Sequence, residues 1–236
     1  MRISNLMKGS LNPFDLIRSI KFKMAFRKEH PEFFDPEGIL IFCGAQGEGK
    51  TYSAVEYVIN VANEYPKSIL CTNVDLDKSL FPDGYDIREY TGLDDLKTIS
   101  NGYAGVIYLI DEIQLELNSL ESKNISIDQM IEFCQARKQR KHIVGTSQVY
   151  SRMAKPLREQ VRNIVMCNNF FGLIQFNKFI DAFRTAETSS GKLKVTVRKR
   201  LIFFHRTKIY KAYDTYAKMR RYREEWNGMK RFTEVI

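Results

Sequence analysis

The segment Gly44–Thr51, which reads GAQGEGKT, constrains this chain more than any other feature. It fits the pattern GxxxxGK[ST], a glycine-rich turn that follows a strand and opens a helix. An apolar run at 39–43 predicts the strand, and residues 51–62 predict the helix. In such a turn the backbone amides wrap a chain of phosphates, and the helix N-terminus adds partial positive charge. The sequence therefore predicts a phosphate-binding loop.

The side chains of this loop indicate how a nucleotide would bind. Lys50 is expected to reach the β- and γ-phosphates, and Thr51 is expected to bind Mg²⁺. Tyr52, the next residue of the helix, is assigned to the same site. The predicted nucleotide contacts are Gly44, Gly47, Gly49, Lys50, Thr51 and Tyr52.

An acidic pair, Asp111 and Glu112, follows the most apolar predicted strand, 106–110. Asp111 lies 61 positions after Lys50, which leaves room for one strand–helix unit. A buried strand of this kind carries its last residues to the carboxyl edge of the sheet. We expect Asp111 to hold Mg²⁺ and Glu112 to polarise the attacking water. An acid directly after the magnesium aspartate favours ATPases that drive mechanical work over small GTPases, so the predicted cofactors are ATP and Mg²⁺.

Strands and helices alternate along the middle of the chain. The predicted strands are 39–43, 68–72, 106–110, 143–146 and 164–167, and the predicted helices are 51–62, 92–99, 127–138 and 157–164. This alternation predicts an α/β fold with a mostly parallel sheet. We expect a RecA-like P-loop NTPase of the additional-strand, catalytic-glutamate type. We divide the chain into a basic leader helix at 1–37, an ATPase domain at 38–188 and a basic β/α extension at 189–236, which packs on that domain. Within the extension we expect a basic strand at 194–204, which could pair across 189–191 with a preceding strand, and a closing helix at 215–226.

Two positions beside the fourth predicted strand are further candidates. Gln148, after Thr146 and Ser147, is predicted to contact the γ-phosphate as a sensor, and the alternative is an ordinary polar strand end. Arg137 belongs to a basic helix end that leads into the strand. The local sequence favours a position on a solvated helix face. In the alternative, Arg137 reaches the nucleotide of a neighbouring subunit as an arginine finger.

Basic residues exceed acidic ones, with a formal net charge of +9, which favours a polyanionic partner. The surplus lies in residues 189–236, where fourteen Lys and Arg face four Asp and Glu, with tyrosines between them. Such a surface suits sequence-independent contact with a DNA backbone, and we assign this role to Arg198, Lys199 and Arg200. A charged segment that only solvates the domain is the alternative.

The leader, 1–37, interleaves apolar and basic residues, and Asn12-Pro13 and Pro31 predict the start and stop of a helix. It could contact a partner, lie on lipid or pack on its own domain. No apolar stretch is long enough to span a membrane, and no signal peptide is apparent. Cys43, Cys71 and Cys167 read as buried thiols in a reducing compartment. We therefore expect a cytoplasmic protein, in the host cytoplasm if it is viral.

The order of the motifs resembles the zonula occludens toxin family, which includes assembly ATPases of filamentous phages and lies near the FtsK–HerA DNA-pumping ATPases. The resemblance rests on four motifs in this order: GAQGEGKT, the acidic pair, ARKQRKHIVGTSQ and PLREQ. Further similar segments are CTN after the second strand and YKAYDT near the end. The resemblance spans about residues 38–216. It implies the nucleotide roles given above. It makes Arg137 the first choice for a finger acting in trans, and it gives Arg158 a nucleotide- or neighbour-facing role.

Two departures from the family change the expected function. Filamentous-phage members carry a membrane span after the ATPase domain, whereas this sequence reaches Ile236 without one. Family members often begin almost at the phosphate loop, whereas about 37 residues precede the first strand here. Both favour a soluble viral motor. We expect ATP-driven, sequence-independent translocation of double-stranded DNA in viral genome packaging, by a homo-oligomeric ring of about five or six subunits, with a capsid portal as a further partner. The alternatives are an assembly or secretion ATPase with a separate membrane partner, and a regulatory nucleotide switch.

Overall fold

A computed structural model describes residues 12–115, 127–150, 153, 158–182, 186–187, 193–194 and 196–213. Its strands are β1 Ile39–Cys43, β2 Ile69–Thr72, β3 Ile87–Glu89, β4 Val106–Ile110, β5 Lys141–Ser147, β6 Val161–Phe170, β7 Ile174–Asp181, β8 Ala186–Glu187, β9 Leu193–Lys194 and β10 Val197–Phe204. Its helices are α1 Pro13–Glu29, α2 Lys50–Glu64, α3 Asp95–Thr98, α4 Ile127–Gln135 and α5 Thr207–Lys211.

Eight of the strands form one sheet in the order β10-β7-β6-β1-β5-β4-β2-β3. The neighbours from β6 to β3 run parallel, and β7 and β10 add an antiparallel edge. β5 therefore lies between the strand of the phosphate loop and the strand of the acidic pair. This order confirms the predicted α/β P-loop NTPase fold with its additional strand.

Both faces of the central strands are covered. β1 and β4 are buried along their whole length, which is why each reads as an uninterrupted apolar run. Side chains of α2 and α5 pack on one face of the sheet, and side chains of α3 and α4 pack on the other. Cys43, Cys71 and Cys167 are buried as predicted, and burial raises the pKa of each thiol to about 12.

The sheet continues beyond the last predicted strand. Residues 161–164 were predicted to be helical but form the start of β6, which runs on to Phe170. The chain turns at Phe171 and Gly172 and returns as β7, a strand that the sequence analysis did not identify. β10 then pairs with β7, and the expected antiparallel pairing across 189–191 is present in the short strands β8 and β9. The closing helix predicted at 215–226 lies outside the described residues.

The leader forms the predicted helix, α1, whose N-terminus is capped by the Asn12 side chain accepting a bond from the Phe14 N–H. None of its residues is buried, and Phe26 near its end contacts Phe33. Its apolar residues lie on all sides of the helix instead of in the single stripe that a lipid-facing helix presents. In the part of the chain that the structure describes, no helix is long and apolar enough to cross a bilayer.

Gly105 allows a stability prediction with an internal control. Its φ is +70°, and a Cβ there would collide with the Phe34 ring and lie 2.7 Å from the Arg140 carbonyl oxygen. Gly84 has φ +71° but open space around the same position. We expect Gly84→Ala to lower the free energy of unfolding by about 1 kcal/mol, and Gly105→Ala by about 3 kcal/mol. Equal losses of unfolding free energy in the two variants, measured by urea denaturation, would contradict the packing of Phe34, in the 31–37 segment, against Gly105.

Candidate nucleotide-binding site

The phosphate loop connects β1 to α2 at the carboxyl edge of the parallel strands. Gly47 and Gly49 have φ values of +85° and +72°, a region that disfavours other residues. A Cβ on Gly44 would lie 2.7 Å from the Cys167 carbonyl oxygen, so the loop also needs glycine for close packing. The first N–H groups of α2 have no intrahelical acceptors. The loop therefore has the geometry to surround a phosphate chain.

Lys50 lies across this loop. Its side chain is only 7% exposed, and its Nζ donates to the Ala45 carbonyl oxygen at 3.0 Å. Among the described residues, no carboxylate forms an ion pair with it. The ammonium group is thus held over the loop with its charge available to an anion.

Thr51 and Asp111 meet although they come from different elements. The Thr51 hydroxyl, in the first turn of α2, donates to Asp111 Oδ1, after β4, at 2.9 Å. A hydroxyl and a carboxylate oxygen at this spacing suit Mg²⁺, which takes few protein ligands and completes its shell with water and phosphate oxygens. The donor set therefore fits the predicted metal.

Two side chains fix the backbone and carboxylate of Asp111. Asn73, just after β2, accepts from the Asp111 N–H at 2.8 Å and donates to its carbonyl oxygen at 3.1 Å. The Thr146 hydroxyl donates to Asp111 Oδ1 at 2.7 Å and accepts from the Glu112 N–H at 2.9 Å. Asn73 and Thr146 belong to the sequence motifs CTN and ARKQRKHIVGTSQ, which by themselves do not indicate contact with Asp111. Both residues lie at the carboxyl ends of strands that neighbour β4, so the strand order would have indicated that they contact Asp111.

Glu112 is presented to the site by an unusual backbone. Its φ is +55°, which costs a residue with a Cβ about 1–2 kcal/mol. The Gln148 amide donates to Glu112 Oε1 at 3.2 Å, and the Gln114 amide donates to Oε2. Gln148 therefore lies beside Glu112 at the exposed end of β5, and Gln114 is a neighbour that the sequence analysis did not identify.

Tyr52 is placed differently from the other predicted contacts. Its side chain is 1% exposed, and its hydroxyl accepts a bond from the Arg206 N–H at 2.6 Å. Its ring stacks on His205, with centroids 4.0 Å apart. The structure thus directs the Tyr52 side chain into the core, where it contacts Arg206 and His205.

The arginines lie at two edges of the sheet. Arg137 is exposed just before β5 and lines a cleft at the amino edge of the sheet, together with Glu37 and Arg162. The phosphate loop of the same chain lies at the opposite edge, one strand length or about 20 Å away. Arg140 is bound to the end of the leader, because it donates to the Phe34 carbonyl oxygen at 2.7 Å. Arg158 lines a groove of about 1550 Å³ beside the loop, together with Gln46 and Gln148.

The three residues assigned to DNA do not share one environment. Arg198 forms two bonds with the buried Asp181 carboxylate, at 3.0 and 2.6 Å. Lys199 and Arg200 are exposed on the edge strand β10, where adjacent side chains point to opposite faces. Arg200 lines the groove beside the phosphate loop.

Solved structures with similar folds include a zonular occludens toxin domain and viral genome-packaging NTPases. The N-terminal domain of zonular occludens toxin from Neisseria meningitidis is 16% identical, covers 75% of this chain and 98% of its own, and has a TM-score of 0.48. The genome packaging NTPase B204 from Sulfolobus turreted icosahedral virus 2, in complex with ATP-gammaS, is 15% identical, covers 68% and 96%, and has a TM-score of 0.47. B204, the DNA-packaging ATPase from Sulfolobus turreted icosahedral virus, is 15% identical in a further structure, covers 68% and 97%, and has a TM-score of 0.48.

No family model matches the chain, and no curated protein sequence matches it significantly. The three solved structures are similar to this chain in fold, and the activity is inferred from the site itself.

Proposed function

We propose that this protein hydrolyses ATP with Mg²⁺ and uses the energy to move double-stranded DNA in viral genome packaging. The observation that carries the hydrolytic part is the position of Glu112. Glu112 directly follows Asp111, and its N–H donates to the Thr146 hydroxyl, which itself donates to the Asp111 carboxylate. The Glu112 carboxylate accepts from the amides of Gln148 and Gln114. A base beside a predicted metal–phosphate site is the arrangement that hydrolysis requires, because it can orient and deprotonate water.

Each residue of the site has a separate task in this reaction. The loop amides and Lys50 would hold the β- and γ-phosphates, and Thr51 and Asp111 would hold Mg²⁺, which neutralises charge that develops on the phosphates. Glu112 would take the proton of the attacking water, and Gln148 would contact both Glu112 and the γ-phosphate. The bond broken is that between the γ-phosphorus and the bridging oxygen, which leaves ADP and phosphate.

The position of Arg137 supports the proposal of a ring. An exposed arginine at the amino edge of the sheet cannot reach the phosphate loop of its own chain at the opposite edge. It can reach the loop of a second copy if copies pack head to tail, an arrangement that closes into a ring. A trans arginine would stabilise the charge of the transition state.

Double-stranded DNA is proposed as the polymer that the protein moves, because the protein carries an excess of positive charge. The chain carries a net charge of +9, and exposed basic residues such as Lys199 and Arg200 lie on the edge strand β10. Contact through phosphates alone requires no base-reading element. Arg198 is a weaker candidate, because Asp181 already neutralises it.

An assembly or secretion ATPase with a separate partner is the second candidate. It is favoured by α1, a helix with no buried residue and exposed apolar side chains such as Phe14, Phe22 and Met24. A membrane assembly protein could cover such a helix.

Replacing the base should separate binding from hydrolysis. In Glu112→Gln we expect ATP affinity close to wild type and turnover lowered at least about a hundredfold, the scale of lost general-base catalysis. The control is Glu64→Gln, the same change at an exposed position at the end of α2. Phosphate release and nucleotide titration measure the two quantities. Wild-type turnover in Glu112→Gln would remove Glu112 from the mechanism.

Mixing two inactive variants tests the trans finger. Arg137→Ala subunits keep an intact base, and Glu112→Gln subunits keep an intact arginine, so mixed assemblies should regain part of the wild-type turnover. Lys138→Ala, at the neighbouring exposed basic residue, should be active alone. Light scattering confirms that the subunits assemble. Absence of rescue at every mixing ratio would assign the finger to another residue.

A further inference from the structure

The phosphate loop is held in place by strands that lie outside the predicted site. Near the end of β6, the Asn169 N–H donates to Glu48 Oε2 at 2.6 Å, and its side-chain amide donates to the Gly47 carbonyl oxygen at 3.3 Å. At the start of β7, Gln175 Nε2 donates to the Glu48 carbonyl oxygen at 3.0 Å. The central residues of the loop are therefore attached to the antiparallel edge of the sheet.

Gln175 fits closely against this loop. It is 0% exposed, and a Cβ on Gly49 would collide with its Oε1. Its Nε2 also donates to Asn177 Oδ1 at 2.9 Å, and Asn177 in turn donates to Ser53 in α2 at 3.0 Å. A fully buried amide with these partners has one possible orientation, with its nitrogen toward the loop carbonyl.

His205 holds the other end of the Gln175 amide. Its Nε2 lies 3.0 Å from Gln175 Oε1, and because that oxygen can only accept, the Nε2 carries the hydrogen. Burial lowers the pKa of His205, which favours the neutral ring. The same ring stacks on Tyr52 in the first turn of α2. Gln175 and His205 together thus contact both the loop and the helix that follows it.

The bond to the Glu48 carbonyl has a direct consequence for phosphate binding. In a planar trans peptide the C=O and the next N–H point in opposite directions. With the Glu48 carbonyl fixed toward β7, the Gly49 N–H must point away from β7. Without that bond the peptide could rotate, since Gly49 tolerates many conformations, and would turn an oxygen toward the phosphates.

We propose that Gln175, oriented by His205, is a positioning residue that keeps the Glu48–Gly49 peptide turned so that its N–H faces the phosphates. This inference rests on the proposed function, since it concerns the binding of ATP. It assigns nucleotide affinity to a strand that carries no part of the loop motif.

The test compares Gln175→Met with Lys178→Met on the opposite, exposed face of β7. Methionine keeps the volume of Gln175 and removes its bond to Glu48. We expect KM for ATP to rise about tenfold in Gln175→Met, with kcat within about threefold of wild type and an unfolding midpoint close to that of Lys178→Met. A KM within about twofold of wild type overturns the proposal. So does a KM rise that accompanies equal losses of kcat and stability.

His205→Phe gives a second, independent test if Gln175→Met does not fold. It keeps a ring to stack on Tyr52 but removes the bond to Gln175 Oε1. We expect KM to rise about threefold in His205→Phe alone. Where Gln175→Met does fold, the double variant should show no further rise over Gln175→Met, because both changes release the same amide. An unchanged KM in His205→Phe overturns the proposal. A wild-type protein without ATP hydrolysis would contradict the proposed function, whereas an active wild type with unaffected variants would remove only Gln175 and His205.

Discussion

The bond between Thr51 and Asp111 is the interaction on which the site depends. It joins the start of α2 to the end of β4, although β5 lies between the strand of the loop and β4 in the sheet. This contact requires a register in which the carboxyl ends of three strands coincide, and the Thr146 hydroxyl of β5 bonds both to the Asp111 carboxylate and to the Glu112 N–H. Because this geometry comes from the sheet, the two predicted metal ligands are positioned by the core of the protein and not by a mobile loop.

The sequence was sufficient for the parts of the molecule whose signal is local. The loop motif and the apolar runs before Gly44 and Asp111 predicted two buried strands, and the sheet order confirms the additional strand between them. β7 escaped prediction because its inward residues include Gln175 and Asn177, which are polar and resemble exposed positions in a sequence. They are tolerated because each has partners on the loop or on α2, and such partners are more than a hundred residues distant along the chain.

The basic residues show the same limit. Arg137 and Arg140 are three positions apart and equivalent by composition, yet one is exposed and the other is bound to the Phe34 carbonyl and stacked on Phe33. Arg198 and Arg200 belong to one run, but Asp181 neutralises only the first. Charge patterns indicate the kind of partner, whereas tertiary contacts decide which cations are available to it. The Tyr52 side chain illustrates the same point, since the loop motif cannot show which side of α2 packs on β10.

The proposed motor must hydrolyse ATP at this site at a rate that responds to DNA. The most direct measurement is phosphate release by the purified protein with Mg²⁺–ATP, with and without duplex DNA of unrelated sequences, beside Lys50→Ala as the blank. We expect turnover that requires Mg²⁺, disappears in Lys50→Ala, and rises with duplex DNA whatever its sequence. The absence of hydrolysis in the wild type, or hydrolysis that DNA leaves unchanged, would contradict the proposed function.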